Sequence, residues 1–183
     1  MARLHLVRHG QAAAGWGDDA DPGLSPVGSR QAEATAERLA ASRAPCALRS
    51  SPSRRARETA GALAARWGRV AELDPAFGEV PSPSADLAER AAWLPGLLAG
   101  RWSESDDAVA AWRAELVAAA RAITADTVAF THFVAINALV SAAQGTDEVT
   151  AFLPANASVT TIEVADGSLE VVDLGEEAPP EVG

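Results

Sequence analysis

The chain has no lysine, a single cysteine and no long apolar run, and each shortage excludes a class of protein. Because Cys46 stands alone, it cannot form an internal disulfide, and we expect it to pack in the core of a protein from a reducing compartment. No apolar run approaches the roughly 20 residues that span a bilayer. The N-terminus also lacks the pattern of a secretory signal. We therefore predict a cytoplasmic protein without a membrane partner.

Positive charge is also scarce, since the formal net charge is -10 and all 15 basic residues are arginine. Nucleic acids and anionic membranes attract clustered positive charge, so this balance argues against both as partners. A protein this acidic must gather its arginines locally if it is to bind a small anion. Arg8, Arg54, Arg55 and Arg57 are the candidates.

Strand-like and helical patterns alternate along the 183 residues, a length that suits one domain with a sizeable core. Ser25 followed by Pro26 predicts the start of the first helix, and Asp166-Gly167 predicts a hairpin turn. The predicted strands are residues 4–7, 46–49, 70–73, 127–130, 157–165 and 168–174. The predicted helices are residues 26–42, 53–67, 106–124 and 132–143, with a further helical segment in 82–100 that Pro95 is expected to break.

This alternation predicts a three-layer α/β/α sandwich with a mostly parallel central sheet, to which the late hairpin adds an antiparallel part. We expect one domain over residues 1–175, a short helical lid around residues 82–124, and a flexible tail at residues 176–183. Ligands of such sheets bind beyond the carboxyl ends of the strands. His9 and His132 both follow predicted strands, so we expect them at the same edge.

Arg8-His9-Gly10 directly follows the first predicted strand and suits attack on a phosphate group. The guanidinium of arginine matches phosphate oxygens, and an imidazole nitrogen can act as a nucleophile. Glycine lets the backbone turn sharply and come close to a ligand. A three-residue match is weak by itself, so the rest of the chain has to supply the other groups of such a site.

Three later motifs supply them. Arg55 stands four residues before Thr59 in an RAxxTA pattern that opens a helix. Glu79 lies in the loop-like segment FGEVPSP, and His132 follows a strand-like run at the start of another helix. Four motifs in this order resemble the histidine phosphatase superfamily, also called the phosphoglycerate mutase-like family. The resemblance runs from Arg3 to about Leu174.

The resemblance implies that His9 is a catalytic nucleophile that becomes phosphorylated, while Arg8, Arg55 and His132 bind the phosphate. Nearby guanidinium groups are expected to keep His9 neutral and therefore nucleophilic. Glu79 is the candidate catalytic acid and base, and burial beside Phe77 and Val80 is expected to raise its pKa. Glu72 is the competing carboxylate.

No metal site or other cofactor is predicted. His5 and His9 lie about 13 Å apart if they share a strand, and the sequence has no cysteine cluster. His5 is therefore interpreted as structural. Arg54 and Arg57 are expected to face solvent, away from Arg55. Three tryptophans lie between Glu79 and His132, where relatives often build a lid, and they either pack in the core or shape the substrate entrance. They are Trp93, Trp102 and Trp112.

These observations together predict a metal-independent phosphomonoesterase that hydrolyses a phosphorylated small molecule or phosphoprotein through a phosphohistidine. Three alternatives stay open: a phosphoglycerate-type mutase, a phosphohistidine-protein phosphatase, and a non-catalytic module that binds a phosphorylated ligand. Two departures from relatives disfavour the mutase. Gln11 to Ala14 replaces a stretch in which mutases carry asparagine, and Phe133 and Val134 replace glycines. The sequence specifies neither the substrate nor the oligomeric state.

Overall fold

The computed structural model describes residues 1–179 and contains six strands and five α-helices, which mostly alternate along this part of the chain. The strands are β1 (Ala2–Arg8), β2 (Ala47–Ser50), β3 (Glu72–Leu73), β4 (Thr127–Thr131), β5 (Val159–Ala165) and β6 (Ser168–Asp173). The helices are α1 (Pro26–Ser42), α2 (Arg54–Trp67), α3 (Leu87–Leu98), α4 (Asp107–Arg121) and α5 (Phe133–Gln144). Short 3₁₀ turns cover Pro75–Phe77 and Trp102–Glu104.

One sheet holds all six strands in the order β3-β2-β4-β1-β5-β6. The pairings among β1, β2, β3 and β4 are parallel, and those of β5 with β1 and β6 are antiparallel. The turn between β5 and β6 has positive φ at both Asp166 and Gly167, as the predicted hairpin requires. The predicted α/β fold with a mostly parallel sheet is therefore confirmed.

Two apolar cores cover opposite faces of the sheet, because side chains of successive strand residues alternate between faces. One core joins Leu4 and Leu6 of β1 to residues of α4 and α5, such as Leu116 and Leu139. The other core joins Val7 of β1 to residues of α1 and α2. The helices thus form the two outer layers of the predicted sandwich.

The helix starts follow local signals. Ser25 accepts a hydrogen bond from the backbone N–H of Gly28, so α1 begins at Pro26 as predicted. The side chain of Asp106 caps α4 in the same way. Pro95, which was expected to break its segment, lies inside α3 instead. Pro95 removes one helical hydrogen bond to the carbonyl of Ala91, but Ala91 is exposed and water can replace that bond.

The segments predicted as a lid and as a tail differ in how closely they pack on the rest of the protein. Helix α3 has no fully buried residue, whereas α4 buries Val109, Leu116 and Ala120 in the core. In the tail, residues 176–179 run beside residues 153–155, with hydrogen bonds that include Ala178 N–H to Leu153 O at 2.7 Å. Residues 180–183 of the predicted tail lie outside the described residues. No helix of the described part of the chain is long and apolar enough to cross a membrane.

Candidate active site

The sheet topology brings His9 and His132 together. β1 and β4 are parallel neighbours with Arg8 opposite Thr131, so the residues that follow these strands leave the sheet side by side. The backbone N–H of His9 donates to the Thr131 carbonyl at 3.0 Å. The two imidazole ring centres are 5.2 Å apart. The two histidines therefore lie at the same edge of the sheet, as expected.

The first turn of α2 places Arg55 against His9. Arg55 Nε donates to His9 Nε2 at 3.1 Å, and His9 Nδ1 lies 2.8 Å from the carbonyl oxygen of Gly10. Because that carbonyl can only accept, the proton of neutral His9 is on Nδ1 and the lone pair is on Nε2. Burial, aided by the nearby charges of His132 and Arg55, lowers the pKa of His9 from 6.5 to about 3. His9 is thus neutral near neutral pH, with its lone pair directed at the arginine.

Thr59 explains why the RAxxTA spacing matters. One helical turn after Arg55, its hydroxyl donates to the Arg55 carbonyl at 2.7 Å and accepts the backbone N–H of Gly10 at 3.0 Å. This pair of hydrogen bonds ties the loop after β1 to the first turn of α2. It therefore fixes His9 relative to Arg55.

Glu79 reaches the same site from the loop after the Pro75–Phe77 turn, which Thr131 holds through a 2.7 Å hydrogen bond to the Phe77 carbonyl. Its Oε2 lies 3.4 Å from Arg55 Nη2 and 3.2 Å from His132 Nδ1. Burial favours the neutral acid, but the charge and hydrogen bond of His132, the charge of Arg55 and the Val80 N–H together lower the pKa of Glu79 to about 2. The expectation of a raised pKa is therefore wrong for this arrangement. The Glu79 carboxylate is therefore ionised, in contact with Arg55 and His132.

His132 is fully buried behind Glu79. Its Nδ1 faces Glu79, and its Nε2 lies 2.8 Å from the hydroxyl of Ser51. Sequence reasoning missed Ser51, although it lies in the SSPSRRARETA stretch beside Arg55. The other four predicted site residues line a cavity beside this cluster, but His132 does not.

A cavity of about 550 Å³ opens beside this cluster. Its polar lining consists of Arg8, His9, Gln11, Arg55, Glu79 and Asn156. Arg8 donates to the Pro154 carbonyl at 2.7 Å and lies over the Phe133 ring, 5.2 Å from its centre. The remaining wall comes from the loop after β1, from α3 and from the start of α5. The cavity thus combines two guanidinium groups, an imidazole and a carboxylate at one end of an apolar chamber.

The other residues considered from the sequence lie away from the site. Glu72 is exposed on β3, and Arg54 and Arg57 are exposed on α2. His5 is buried and hydrogen-bonds the Thr161 hydroxyl at 3.0 Å, as its structural interpretation requires. Of the three tryptophans in the predicted lid, Trp102 is buried in the core and Trp112 packs against it, so this pair lies away from the cavity.

Most of the cavity wall is not predicted as part of the site, and two of its residues make specific contacts there. Trp16 lines it and stacks on Trp93 of α3, with ring centres 6.4 Å apart. Asn156 lines it and donates to the backbone carbonyl of His9 at 3.2 Å. Neither residue belongs to a short motif, and each reaches the site through contacts between segments distant in sequence.

His9, Glu79 and His132 each offer one potential metal-ligand atom, and these atoms lie within 4.8 Å of one another. Arg55 already donates to His9 Nε2 and contacts Glu79 Oε2. A divalent cation would have to displace the guanidinium from both atoms against charge repulsion. The arrangement therefore fits an anion better than a metal ion.

Known proteins resemble this chain in both sequence and fold. The family model of the histidine phosphatase superfamily (branch 1) matches residues 4–177. No curated protein sequence matches the chain. A mycobacterial glucosyl-3-phosphoglycerate phosphatase solved with inorganic phosphate is 26% identical, with a TM-score of 0.70 and coverage of 97% of this chain and 98% of that one.

Two further solved structures share the fold at lower identity. One is an Entamoeba histolytica phosphoserine phosphatase in complex with 3-phosphoglyceric acid, at 20% identity, a TM-score of 0.71 and coverage of 96% and 98% of the two chains. The other is Bacillus stearothermophilus YhfR, at 24% identity, a TM-score of 0.69 and coverage of 97% and 98%. At these identities the likeness shows the fold.

Proposed function

Since the chain belongs to the histidine phosphatase superfamily, we propose that it hydrolyses a phosphomonoester through a phosphohistidine at His9. One observation carries the proposal: a buried, neutral histidine presents the lone pair of Nε2 to Arg55 at the end of a cavity, with Glu79 beside it. A nucleophile, a cation and a carboxylate are the groups that phosphoryl transfer to an enzyme side chain requires.

In the first step, the phosphoryl group binds between Arg8 and Arg55, which neutralise its oxygens. His9 Nε2 attacks phosphorus, the N–P bond forms, and the P–O bond to the alcohol breaks. The alcohol oxygen takes a proton from Glu79. His9 keeps the proton on Nδ1 throughout, because the Gly10 carbonyl accepts its hydrogen bond.

In the second step, water attacks phosphorus and the N–P bond breaks. Glu79 accepts the proton of the water, and inorganic phosphate leaves. Glu79 thus changes from acid to base between the two steps, and His9 returns to its neutral state.

The lowered pKa of Glu79 fits this mechanism if the carboxylate occupies the place of the incoming anion. In the free site, Glu79 takes the hydrogen bonds of Arg55 Nη2 and His132 Nδ1. A phosphoryl oxygen competes for the same donors and repels the carboxylate. Once displaced, Glu79 loses the partners that lower its pKa and gains a negative neighbour that raises it, so it takes up from the bound phosphate monoester or from water the proton that it then gives to the alcohol oxygen. His132 does not line the cavity of the free site, but the movement of Glu79 would release its Nδ1–H and let it bind the phosphate.

We further propose that the reaction needs no divalent metal, because Arg55 holds the position between His9 and Glu79. Activity toward p-nitrophenyl phosphate after dialysis against a chelator tests both proposals. We expect full activity after dialysis, loss of activity in His9→Ala, and retention in His5→Gln, which alters a buried histidine on the same segment. Phosphate binding without turnover would instead indicate a binding module, and activity restored only by added metal would contradict metal independence.

A further inference from the structure

The part of the cavity beyond the phosphate-binding end is built from apolar side chains. Ala12–Ala14, Trp16, Pro22, Leu94, Leu98 and Phe133 form most of it. Because His9 attacks phosphorus from one side, the alcohol part of the substrate leaves on the opposite side. Given the proposed hydrolysis at His9, on which this inference rests, these side chains surround the alcohol. The polarity and charge of these side chains therefore indicate which kind of alcohol the site binds.

Trp16 is a fixed part of this wall. Its ring stacks on Trp93 at an interplanar angle of 18°, and the guanidinium of Arg90 lies 4.8 Å from its centre. Trp93 and Arg90 both belong to α3, so the loop after β1 and this helix hold the indole between them. Trp93 and Arg90 cover part of the indole, and the part that borders the cavity offers apolar aromatic surface to a flat apolar group.

The cavity wall offers no spare positive charge to an acidic alcohol. Arg8 and Arg55 are the cationic residues that line the cavity in the described part of the chain, and both are needed for the phosphoryl oxygens. Arg90 is the nearest further cation on the wall helix, but it lies against Trp16 and does not line the cavity.

The polar side chains beyond the phosphate end also have protein partners. Gln11 Oε1 accepts a 2.8 Å hydrogen bond from the Ser25 hydroxyl, and Asn156 Nδ2 donates to the His9 carbonyl at 3.2 Å. A carboxylate that packs against the apolar wall would therefore lose water without gaining a charged partner, and burying an unpaired charge is costly. This distinguishes the chain from the glucosyl-3-phosphoglycerate phosphatase and from the phosphoserine phosphatase solved with 3-phosphoglyceric acid, because phosphoglycerate and phosphoglyceric acid carry a carboxylate.

We propose that the substrates are monophosphate esters of uncharged, apolar, ring-bearing alcohols. The wall selects them by burying the ring against Trp16 and Phe133, and it rejects acidic alcohols by offering them no cation. The cavity volume of about 550 Å³ accommodates a phosphoryl group together with such a ring. Phe133 thus has two contacts in the site, since it also lies under the guanidinium of Arg8.

A matched pair of esters tests the proposal. Benzyl phosphate and its 4-carboxylate have the same ring and the same kind of leaving oxygen, so they differ mainly in the added charge. We expect kcat/KM to be higher for benzyl phosphate by about 10- to 100-fold. Glycerol 1-phosphate, the ester of an uncharged polar alcohol, should also be slower than benzyl phosphate.

Variants assign the preference to the wall. Trp16→Ala should lower kcat/KM for benzyl phosphate by about 10-fold or more and leave glycerol 1-phosphate nearly unchanged. Trp112→Ala is the control, because it removes a half-buried tryptophan of a similar pair that does not line the cavity. Leu94→Arg supplies the missing cation and should raise kcat/KM for the 4-carboxylate. If Trp16→Ala does not fold, this gain alone decides the assignment.

The outcomes separate this inference from the function on which it rests. Equal values for benzyl phosphate and its carboxylate, or a preference for 3-phosphoglycerate or phosphoserine, would overturn the inference and leave the phosphatase intact. Hydrolysis of none of the esters, p-nitrophenyl phosphate included, would overturn the phosphatase and the inference together.

Discussion

Burial, more than arginine, keeps His9 neutral. The sequence points to guanidinium groups as the cause, and Arg55 does contribute, but burial has the largest effect on the pKa of His9, and the charge of His132 comes next. The Gly10 carbonyl and Glu79 oppose the shift without reversing it. A buried ring held by Nδ1–H and approached by Arg55 at Nε2 is ready to attack without first losing a proton.

Glu79 shows how a neighbour distant in sequence reverses an expectation drawn from burial alone. Burial beside Phe77 and Val80 does raise its pKa, as expected from the sequence. His132 and Arg55, with the Val80 N–H, lower the pKa by more than burial raises it. Nothing in the FGEVPSP segment predicts that His132 and Arg55 contact Glu79. In the proposed mechanism, the pKa of Glu79 depends on whether Arg55 and His132 contact its carboxylate or a phosphoryl group.

If Glu79 supplies the proton, its removal should matter most for poor leaving groups. Glu79→Gln should slow hydrolysis of alkyl phosphates by about 10²- to 10⁴-fold. p-Nitrophenolate is a stable anion that barely needs a proton, so kcat/KM for p-nitrophenyl phosphate should fall much less, while its kcat falls once dephosphorylation of His9 becomes limiting. Steady-state kcat/KM values on the two substrates measure the difference.

Glu72→Gln is the matched control for this comparison, because it makes the same change on the exposed edge strand β3 and should leave both rates unchanged. Small, equal losses on both substrates in Glu79→Gln would show that Glu79 is not the proton donor.

At the scale of elements, the start of α1 sits directly against the loop that carries His9. A Cβ atom on Gly28 would lie 2.1 Å from the carbonyl oxygen of Gln11, and one on Gly10 would lie 2.5 Å from the carbonyl oxygen of Gly28. In both cases the added Cβ would meet a backbone carbonyl oxygen, and no flexible side chain could move to make room for it. The close approach of helix and loop therefore requires glycine at both positions.

Gly28→Ala should consequently push α1 away from the His9 loop. We expect a loss of about 1–3 kcal/mol in the free energy of unfolding and a lower kcat. Gly61→Ala is the control, because its Cβ on α2 would meet nothing within 4 Å. It should raise the free energy of unfolding by up to about 1 kcal/mol, as alanine favours a helix interior. Chemical denaturation measures both changes, and a Gly28→Ala protein as stable as Gly61→Ala would contradict the tight packing.

Elements encoded by neighbouring residues could be predicted, and those that depend on distant contacts could not. The first residue of α1 follows from Ser25 and Pro26, and the β5–β6 turn follows from Asp166 and Gly167. The continuity of α3 through Pro95 could not be predicted in this way, because it depends on the exposure of that helix.

The residues of the candidate site also differ in whether local sequence could predict them. Residues within motifs, such as Arg8 and Arg55, could be found because each motif places a characteristic residue at the end of a strand or the start of a helix. The approach of Glu79 to His132 and the stacking of Trp16 on Trp93 join segments that no local pattern relates. Predicting those contacts requires the folded chain.

At the scale of the whole molecule, three groups with lowered pKa values, His5, His9 and Glu79, couple folding to pH in the same direction. The pKa of His5 is lowered to about 4, chiefly by burial, and that of His9 to about 3. Below the unfolded value of 6.5, the unfolded chain binds protons at both residues that the folded chain does not. Glu79 adds a further loss as the pH falls from 4.5 toward its folded pKa of about 2. Stability should therefore fall steadily below pH 6.5.

His5→Gln isolates one of these contributions away from the active site. Between pH 6.5 and 4, the free energy of unfolding of the variant should depend on pH less steeply than that of the wild type, by up to one proton. Urea denaturation at several pH values measures the slope. Identical slopes in the two proteins would show that His5 titrates normally in the fold.

The central claim is that His9 becomes phosphorylated, and trapping the adduct tests it most directly. Labelled p-nitrophenyl phosphate should be mixed with the protein and quenched in alkaline detergent, because phosphohistidine survives base but not acid. Glu79→Gln should accumulate the adduct, since the attack of water lacks its base. We expect base-stable, acid-labile label on Nε2 of His9, and none in His9→Ala. Label that persists in His9→Ala, or turnover by that variant at the wild-type rate, would contradict the account.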